Sequence, residues 1–179
     1  MICEYETYCG GCPFRTLGEK EYQKRKLETF KKIIANLAQK DLTFSEPIFI
    51  GDSTRRRAEF SFERKKGKLI FGFNARQTHE IVDIENCALL TAELNSVLPI
   101  MRKFTDELCQ ITTTKKEGKK IKNYNISKGQ IFLTQAQNGI DISLEVAENP
   151  ELDHRLLIAE LINNTPQIIS FSWKNQKGN

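Results

Sequence analysis

The sequence predicts an α+β fold, an antiparallel sheet packed on helices with a cysteine-rich loop and helix at the N-terminal end. Three observations predict it. Three cysteines crowd residues 3–12, and a helix-period apolar stripe follows them. Residues 56–84 then alternate apolar and polar side chains between glycine-bearing or polar turns, the two-residue period of half-buried strands. The remainder reads as a long helix, a run of strands, a second helix and a closing strand. Strands and helices grouped in this way suit a sheet with helices on one face. The 179 residues divide into a loop and helix over 1–40 and a central α+β domain over 41–179.

Cys3, Cys9 and Cys12 stand in the spacing C-x5-C-x2-C, and Cys87 follows after 74 intervening residues. Four thiolates hold either tetrahedral zinc or a cubane iron–sulfur cluster. The close pair Cys9 and Cys12 suits both, because two intervening residues let a turn aim two sulfurs at one point. Gly10 and Gly11 inside that turn tolerate positive φ and leave room beside the backbone for an inorganic core. A structural zinc site often has two such close pairs, whereas this chain has one. The remote fourth ligand and Pro13 after the third cysteine favour a [4Fe-4S] cluster. The competing reading is free buried cysteines or disulfides; five cysteines with no secretory leader make a disulfide framework a poor account.

Thr16 and Glu19 have the spacing of a capping box, which predicts a helix from about Leu17 to Gln39. Tyr22, Leu27, Phe30, Ile33, Ile34 and Leu37 form its apolar stripe. Lys20, Lys24, Arg25, Lys31 and Lys32 form the other face, either an ordinary solvated surface or one that lies against phosphate. Lys40–Pro47 reads as a linker. Strands are expected at Ile48–Ile50 and Arg56–Arg64, the second placing Ala58, Phe60 and Phe62 on one face. A turn at Lys65–Lys68 joins it to a strand over Leu69–Phe73. Seven basic residues stand between Arg55 and Lys68 against two acids. Arg55, Arg56 and Arg57 are the leading RNA-contact candidates, since guanidinium binds phosphate bidentately; the alternative is a salt bridge to Glu59, Glu63 or a carboxylate elsewhere. Asn74–Thr78 is a turn. His79 opens a short strand over Glu80–Ile84 that ends near Cys87, with Val82 and Ile84 facing the core. A lone histidine at a strand edge reads first as a structural residue.

Leu89–Leu108 is expected to be an amphipathic helix with Leu90, Leu94, Val97, Leu98, Met101, Phe104 and Leu108 buried. Pro99 either kinks it or marks its true start. Thr112–Lys122 reads as a charged flexible loop. A meander follows over Ile121–Ile126, Gln130–Gln135 and Ile140–Val146, turning at Asn138-Gly139. Pro150–Asn164 is a helix with Asn149 as its N-cap and Leu152, Leu156, Leu157, Ile158 and Leu161 as its apolar positions. Ile168–Trp173 is the last strand, and Lys174–Asn179 a polar tail.

The segment Cys3–Leu37, the run Arg55-Arg56-Arg57-Ala58-Glu59-Phe60-Ser61-Phe62, and Gly72-Phe73 followed by His79–Ile84 and Cys87 carry a resemblance. In order and spacing they resemble the cluster-bearing part of the S-adenosylmethionine-dependent RNA uracil-5-methyltransferases. The match is specific over roughly the first 90 residues and looser after Thr91. It implies a [4Fe-4S] cluster on Cys3, Cys9, Cys12 and Cys87, and a ribosomal or transfer RNA partner touched by Arg55, Arg56, Arg57, Lys24, Arg25 and Lys31. His79 would stand close to the RNA or serve the structure. In that family a cysteine attacks uracil C6, and C5 then takes the methyl group from S-adenosylmethionine. The catalytic domain with its cofactor loop, nucleophile and base is expected to be missing here, so S-adenosylmethionine belongs to the intact parent protein and this chain alone would be inactive. Cys109, in Leu-Cys-Gln-Ile-Thr, does not match the nucleophile motif. The runner-up is a free-standing zinc or Fe–S RNA-binding module; an electron-transfer protein comes third.

Composition agrees without deciding. The net charge of +4 permits nucleic-acid contact but does not require it. No run of 18 apolar residues and no signal peptide stand in the sequence, so no membrane partner is expected. A monomer in the cytoplasm, where thiols stay reduced, is the expectation.

Overall fold

The computed structural model describes residues 3–35, 44–117 and 120–175. Its elements run α1 (Glu19–Ala35), β1 (Arg57–Lys65), β2 (Lys68–Asn74), β3 (Ile81–Asp83), α2 (Ala92–Gln110), β4 (Thr113–Glu117), β5 (Lys120–Tyr124), β6 (Lys128–Gln135), β7 (Ile140–Val146), α3 (Leu152–Asn164) and β8 (Ile168–Asn175). The α+β expectation holds. Six strands form one sheet in the order β3-β2-β1-β6-β7-β8, and β4 and β5 pair separately.

Alternation in β1 does what its pattern dictates. Phe60 and Phe62 point to the core and are fully buried, while Arg57 and Glu59 are exposed. Phe60 stacks on Phe71 and Phe73 of β2 at centroid separations of 5.1 and 4.8 Å. Burying a side chain of this size stabilises the fold by about 1.5–3 kcal/mol. The turn between β1 and β2 puts Lys66 at φ 49° and Gly67 at φ 79°. Two consecutive left-handed residues match the right-handed twist of a tight hairpin. Every apolar position expected on α2 is buried against the sheet, along with Leu90 just before it. Thr91 caps α2 by accepting from the Leu94 N–H, and Pro99 lies inside the continuous helix.

Several expectations are corrected. Ile48–Ile50 form no strand; Ile48 is 89% and Ile50 72% exposed, and among the described residues no strand pairs with them. Helix α1 begins at Glu19 rather than Leu17, and its apolar stripe buries no residue; Phe30 and Ile33 stay exposed. The ring contacts Tyr22–Phe49 and Phe30–Phe44 are what its stripe meets. The expected helix end at Gln39, with Leu37, lies outside the described residues, as do Lys40–Thr43 of the linker and the end of the polar tail. The basic stretch read as a loop forms the hairpin β4–β5, registered from Thr113↔Tyr124 to Glu117↔Lys120. Thus β5 leaves the meander, and β6 pairs with β1 instead.

The sheet is not wholly antiparallel. β8 runs parallel to β7, since α3 carries the chain back across the sheet before it. Such a return through a helix is how parallel neighbours are joined. Asn149 does not cap α3. That place falls to Glu151, whose backbone N–H donates to His154 Nδ1 at 3.0 Å. Leu152 and Leu156 are exposed, and α3 seats itself through His154 and Leu161. Trp173 is half-buried against the core and donates its indole N–H to the Glu148 carbonyl at 2.8 Å. No helix of the described residues is long and apolar enough to cross a membrane.

Candidate metal centre

The hairpin β2–β3 links the two parts of the chain that carry these cysteines. Its turn meets the N-terminal loop, and its outgoing strand leads to Cys87. On the turn side, Cys9 bridges to Ala75, the Gly10 N–H donates to the Asn74 carbonyl at 2.9 Å, and the Arg76 N–H donates to the Tyr8 carbonyl at 3.1 Å. Gly10 is demanded by this approach. A Cβ there would lie 2.7 Å from the Asn74 oxygen, and neither Gly10 nor Gly11 has positive φ. The expected left-handed turn is thus replaced by close backbone packing.

Register on the other side sets Cys87. β3 pairs with β2 through Gly72↔Asp83 and Asn74↔Ile81. A Cβ on Gly72 would stand 2.0 Å from the Val82 carbonyl oxygen, so a side chain there would push β3 off β2. Ile84 is buried, and Val82 packs half-buried on the core as expected. A shift of one residue would turn this face outward and carry Cys87 with it. His79 lies in the turn before β3 rather than within the strand, and is exposed.

Cys9 and Cys87 are buried, Cys3 and Cys12 half-buried. Burial pushes the Cys9 thiol up, opposed by the Gly11 N–H that donates to its sulfur at 3.4 Å; the neighbouring Cys87 and Cys3 push it further. Cys12 is likewise pushed up, by burial first and then by Cys87, Cys9 and Cys3, while Arg55 pulls it down. The four thiols therefore form one electrostatic neighbourhood. Among the described residues, no three His, Cys, Asp or Glu side chains converge to hold a single ion. A tetrahedral ion with metal–sulfur bonds near 2.3 Å would need sulfurs only about 3.8 Å apart.

Sequence reasoning missed the groups that hold this arrangement. Arg76 donates through Nη2 to the Glu6 carbonyl at 2.7 Å and the Cys12 carbonyl at 3.4 Å, and through Nε to the Cys9 carbonyl at 3.3 Å. The Tyr5 hydroxyl accepts the Glu85 N–H at 3.2 Å, tying the loop to the approach to Cys87. Arg15 forms a bidentate ion pair with Asp52 that raises its own pKa and holds the carboxyl below its usual range. Arg102 pairs with Asp83 at 2.8 Å and donates to the Ile84 carbonyl at 2.6 Å. An arginine in a turn carries no sequence signal for carbonyls some 70 residues away.

The basic candidates are only partly gathered. Arg55 is half-buried beside Cys12, its backbone bonded to Leu89 and Thr91. Arg56 and Arg57 are exposed, as are Lys24, Arg25 and Lys31 on α1. The acids considered as their partners are engaged elsewhere: Glu59 accepts from Gln130 at 2.6 Å, and Glu63 pairs with Lys65 at 2.7 Å. Cys109 lies apart, buried in the core.

Known proteins resemble this chain over much of its length. It is 27% identical over 150 residues to the 23S rRNA (uracil(1939)-C(5))-methyltransferase RlmD of Marinomonas posidonica, covering 82% of this chain and 30% of that one. The protein of the same name from Aliivibrio fischeri is 29% identical over 161 residues, 88% of this chain and 34% of its own length. That of Vibrio campbellii is 32% identical over 102 residues, 55% and 23% respectively. The chain thus spans about a third or less of the relatives it matches. No family model matches it.

Proposed function

We propose that this chain is the RNA-recognition unit of an RNA uracil-5-methyltransferase, built around a [4Fe-4S] cluster on Cys3, Cys9, Cys12 and Cys87. The observation that supports this reading is the approach of the cysteine loop to the β2–β3 hairpin, where Cys9 bridges to Ala75 and β3 leads on to Cys87. Similarity to three proteins named as 23S rRNA uracil methyltransferases supports the reading of both the family and the RNA partner. The donor set fits such a group: four soft thiolates, two of them buried, with a backbone N–H on one sulfur. Each cysteine of a cubane cluster binds its own iron, so a cluster, unlike a single zinc, does not need the thiols to close on one point. When bound, the cluster would tie the N-terminal loop to the sheet.

Recognition falls to the exposed cations. Lys24, Arg25 and Lys31 on α1, with Arg55, Arg56 and Arg57 at the entry to β1, would hold RNA phosphates. Contacts of that kind supply affinity and register rather than sequence reading. Methyl transfer from S-adenosylmethionine would need a partner domain lying outside the third of each relative that is matched here. This chain alone would transfer no methyl group, and the cytoplasm would be its setting.

Anaerobic purification with quantification of iron, sulfide and zinc tests the centre. About four irons and four sulfides per chain are expected. One zinc without sulfide would replace the cluster with a structural zinc site. RNA binding titrated against salt tests the rest: affinity should fall linearly on logarithmic axes as phosphate contacts are screened.

A further inference from the structure

A groove of about 710 Å³ runs between α1, the cysteine loop and residues 49–55. We propose that it takes an unpaired RNA nucleotide, with the base against the rings of Tyr22 and Phe49 and the phosphate against Lys26 and Arg55. This rests on the RNA-recognition reading above and gives it a specific seat.

The groove combines the two features that single strands require, aromatic faces and cations. Phe14, Tyr22 and Phe49 line it, and Tyr22 and Phe49 meet edge to face at 6.4 Å. Lys26 stands between two of the rings, its Nζ 5.3 Å from the Phe14 centroid and 5.7 Å from that of Tyr22. Arg55 and Cys12 also line it. Arg25, exposed, stands 5.9 Å over the Phe14 ring and adds to the positive charge there.

Stiffness comes from the Arg15–Asp52 ion pair, which spans the groove from the cysteine loop to the facing segment. Glu6 and Glu19 also line it. Carboxylates repel a bare phosphate but accept hydrogen bonds from the N–H edge of a base. The lining therefore fits a whole nucleotide better than a free anion. Its volume is that of a small-ligand site, far too small for a duplex.

The test uses the metal-loaded chain and an unstructured RNA of about ten nucleotides carrying 2-aminopurine. Tyr22→Leu and Phe49→Leu should each weaken binding about tenfold or more and abolish the change in 2-aminopurine fluorescence. Tyr22→Phe should restore both. An abasic RNA of the same length should bind weakly to the wild type and no more weakly to Tyr22→Leu. Neither leucine variant removes a buried side chain, and circular dichroism checks that α1 persists. Wild-type affinity in both leucine variants, with a loss in Arg57→Gln, would place the RNA elsewhere and overturn the groove while leaving the RNA reading standing. Absence of salt-sensitive binding by the wild type would overturn both.

Discussion

Asn95 holds both backbone polar groups of Cys87. Its Oδ1 accepts the Cys87 N–H at 2.9 Å and its Nδ2 donates to the Cys87 carbonyl at 3.0 Å, with a further bond to the Leu90 carbonyl. A residue in the first turn of α2 thereby orients the cysteine that precedes the helix. Removing it leaves the Cys87 N–H without its partner, while the carbonyl keeps the Leu90 N–H at 3.1 Å; an orphaned N–H of this kind costs about 1–3 kcal/mol. Asn95→Ala should lower the urea midpoint by a corresponding amount and reduce the metal bound per chain. A variant with an unchanged midpoint and full metal content would show that β3 alone positions Cys87.

Arg76 performs the matching task for the N-terminal loop. Its rigid planar fork reaches three carbonyls at once, a fixed geometry that lysine's compact ammonium on a flexible stem does not offer. Arg76→Lys should speed amide hydrogen exchange at residues 5–12 while leaving α2 and β6 protected. Unchanged exchange in the loop would mean that its backbone bonds to Asn74 and Arg76 suffice.

Cys109 provides an internal contrast. Burial pushes its thiol up to about 11, with Arg64 acting weakly in the other direction. The thiol is thus almost wholly protonated at neutral pH, and the thiolate is the reactive form. Maleimide should label it only as the protein unfolds. Cys109→Ala should keep the full metal content, whereas Cys3→Ala, Cys9→Ala, Cys12→Ala and Cys87→Ala should each lose it.

His154 makes stability depend on pH. It is fully buried against Trp173, its Nδ1 accepts the Glu151 N–H, and its Nε2 has no partner among the described residues. Burial lowers its pKa below the ordinary 6.5, although Glu151, Asp153 and Glu148 raise it in part. The unfolded chain therefore binds the proton at higher pH than the folded one does. The contribution of the neutral imidazole is fully present above about pH 6.5 and is lost as pH falls towards the lower folded value. His154→Gln should flatten the fall in unfolding free energy from pH 7 to 5. An identical slope in wild type and variant would assign that dependence to the carboxylates.

Local periodicity determined much of this protein in advance. The alternation of Ala58, Phe60 and Phe62, the apolar face of α2 from Leu94 to Leu108, and the Lys66-Gly67 turn were legible because each depends on neighbours a few residues away. The cysteine set stood out in the sequence for a chemical reason, its spacing, and its role as a ligand set remains the proposal made above. Tertiary structure decided the rest. Whether the α1 stripe is buried, whether Ile48–Ile50 finds a strand to pair with, and whether β8 runs parallel to β7 all depend on what lies across space. So do the bonds that hold the backbone around the cysteines. Arg76 and Asn95 are ordinary polar residues in sequence, and only the β2–β3 hairpin and the start of α2 bring them against the backbone of the cysteines. Periodicity encodes which face is apolar; it carries no information about which distant partner will cover that face or satisfy a buried carbonyl.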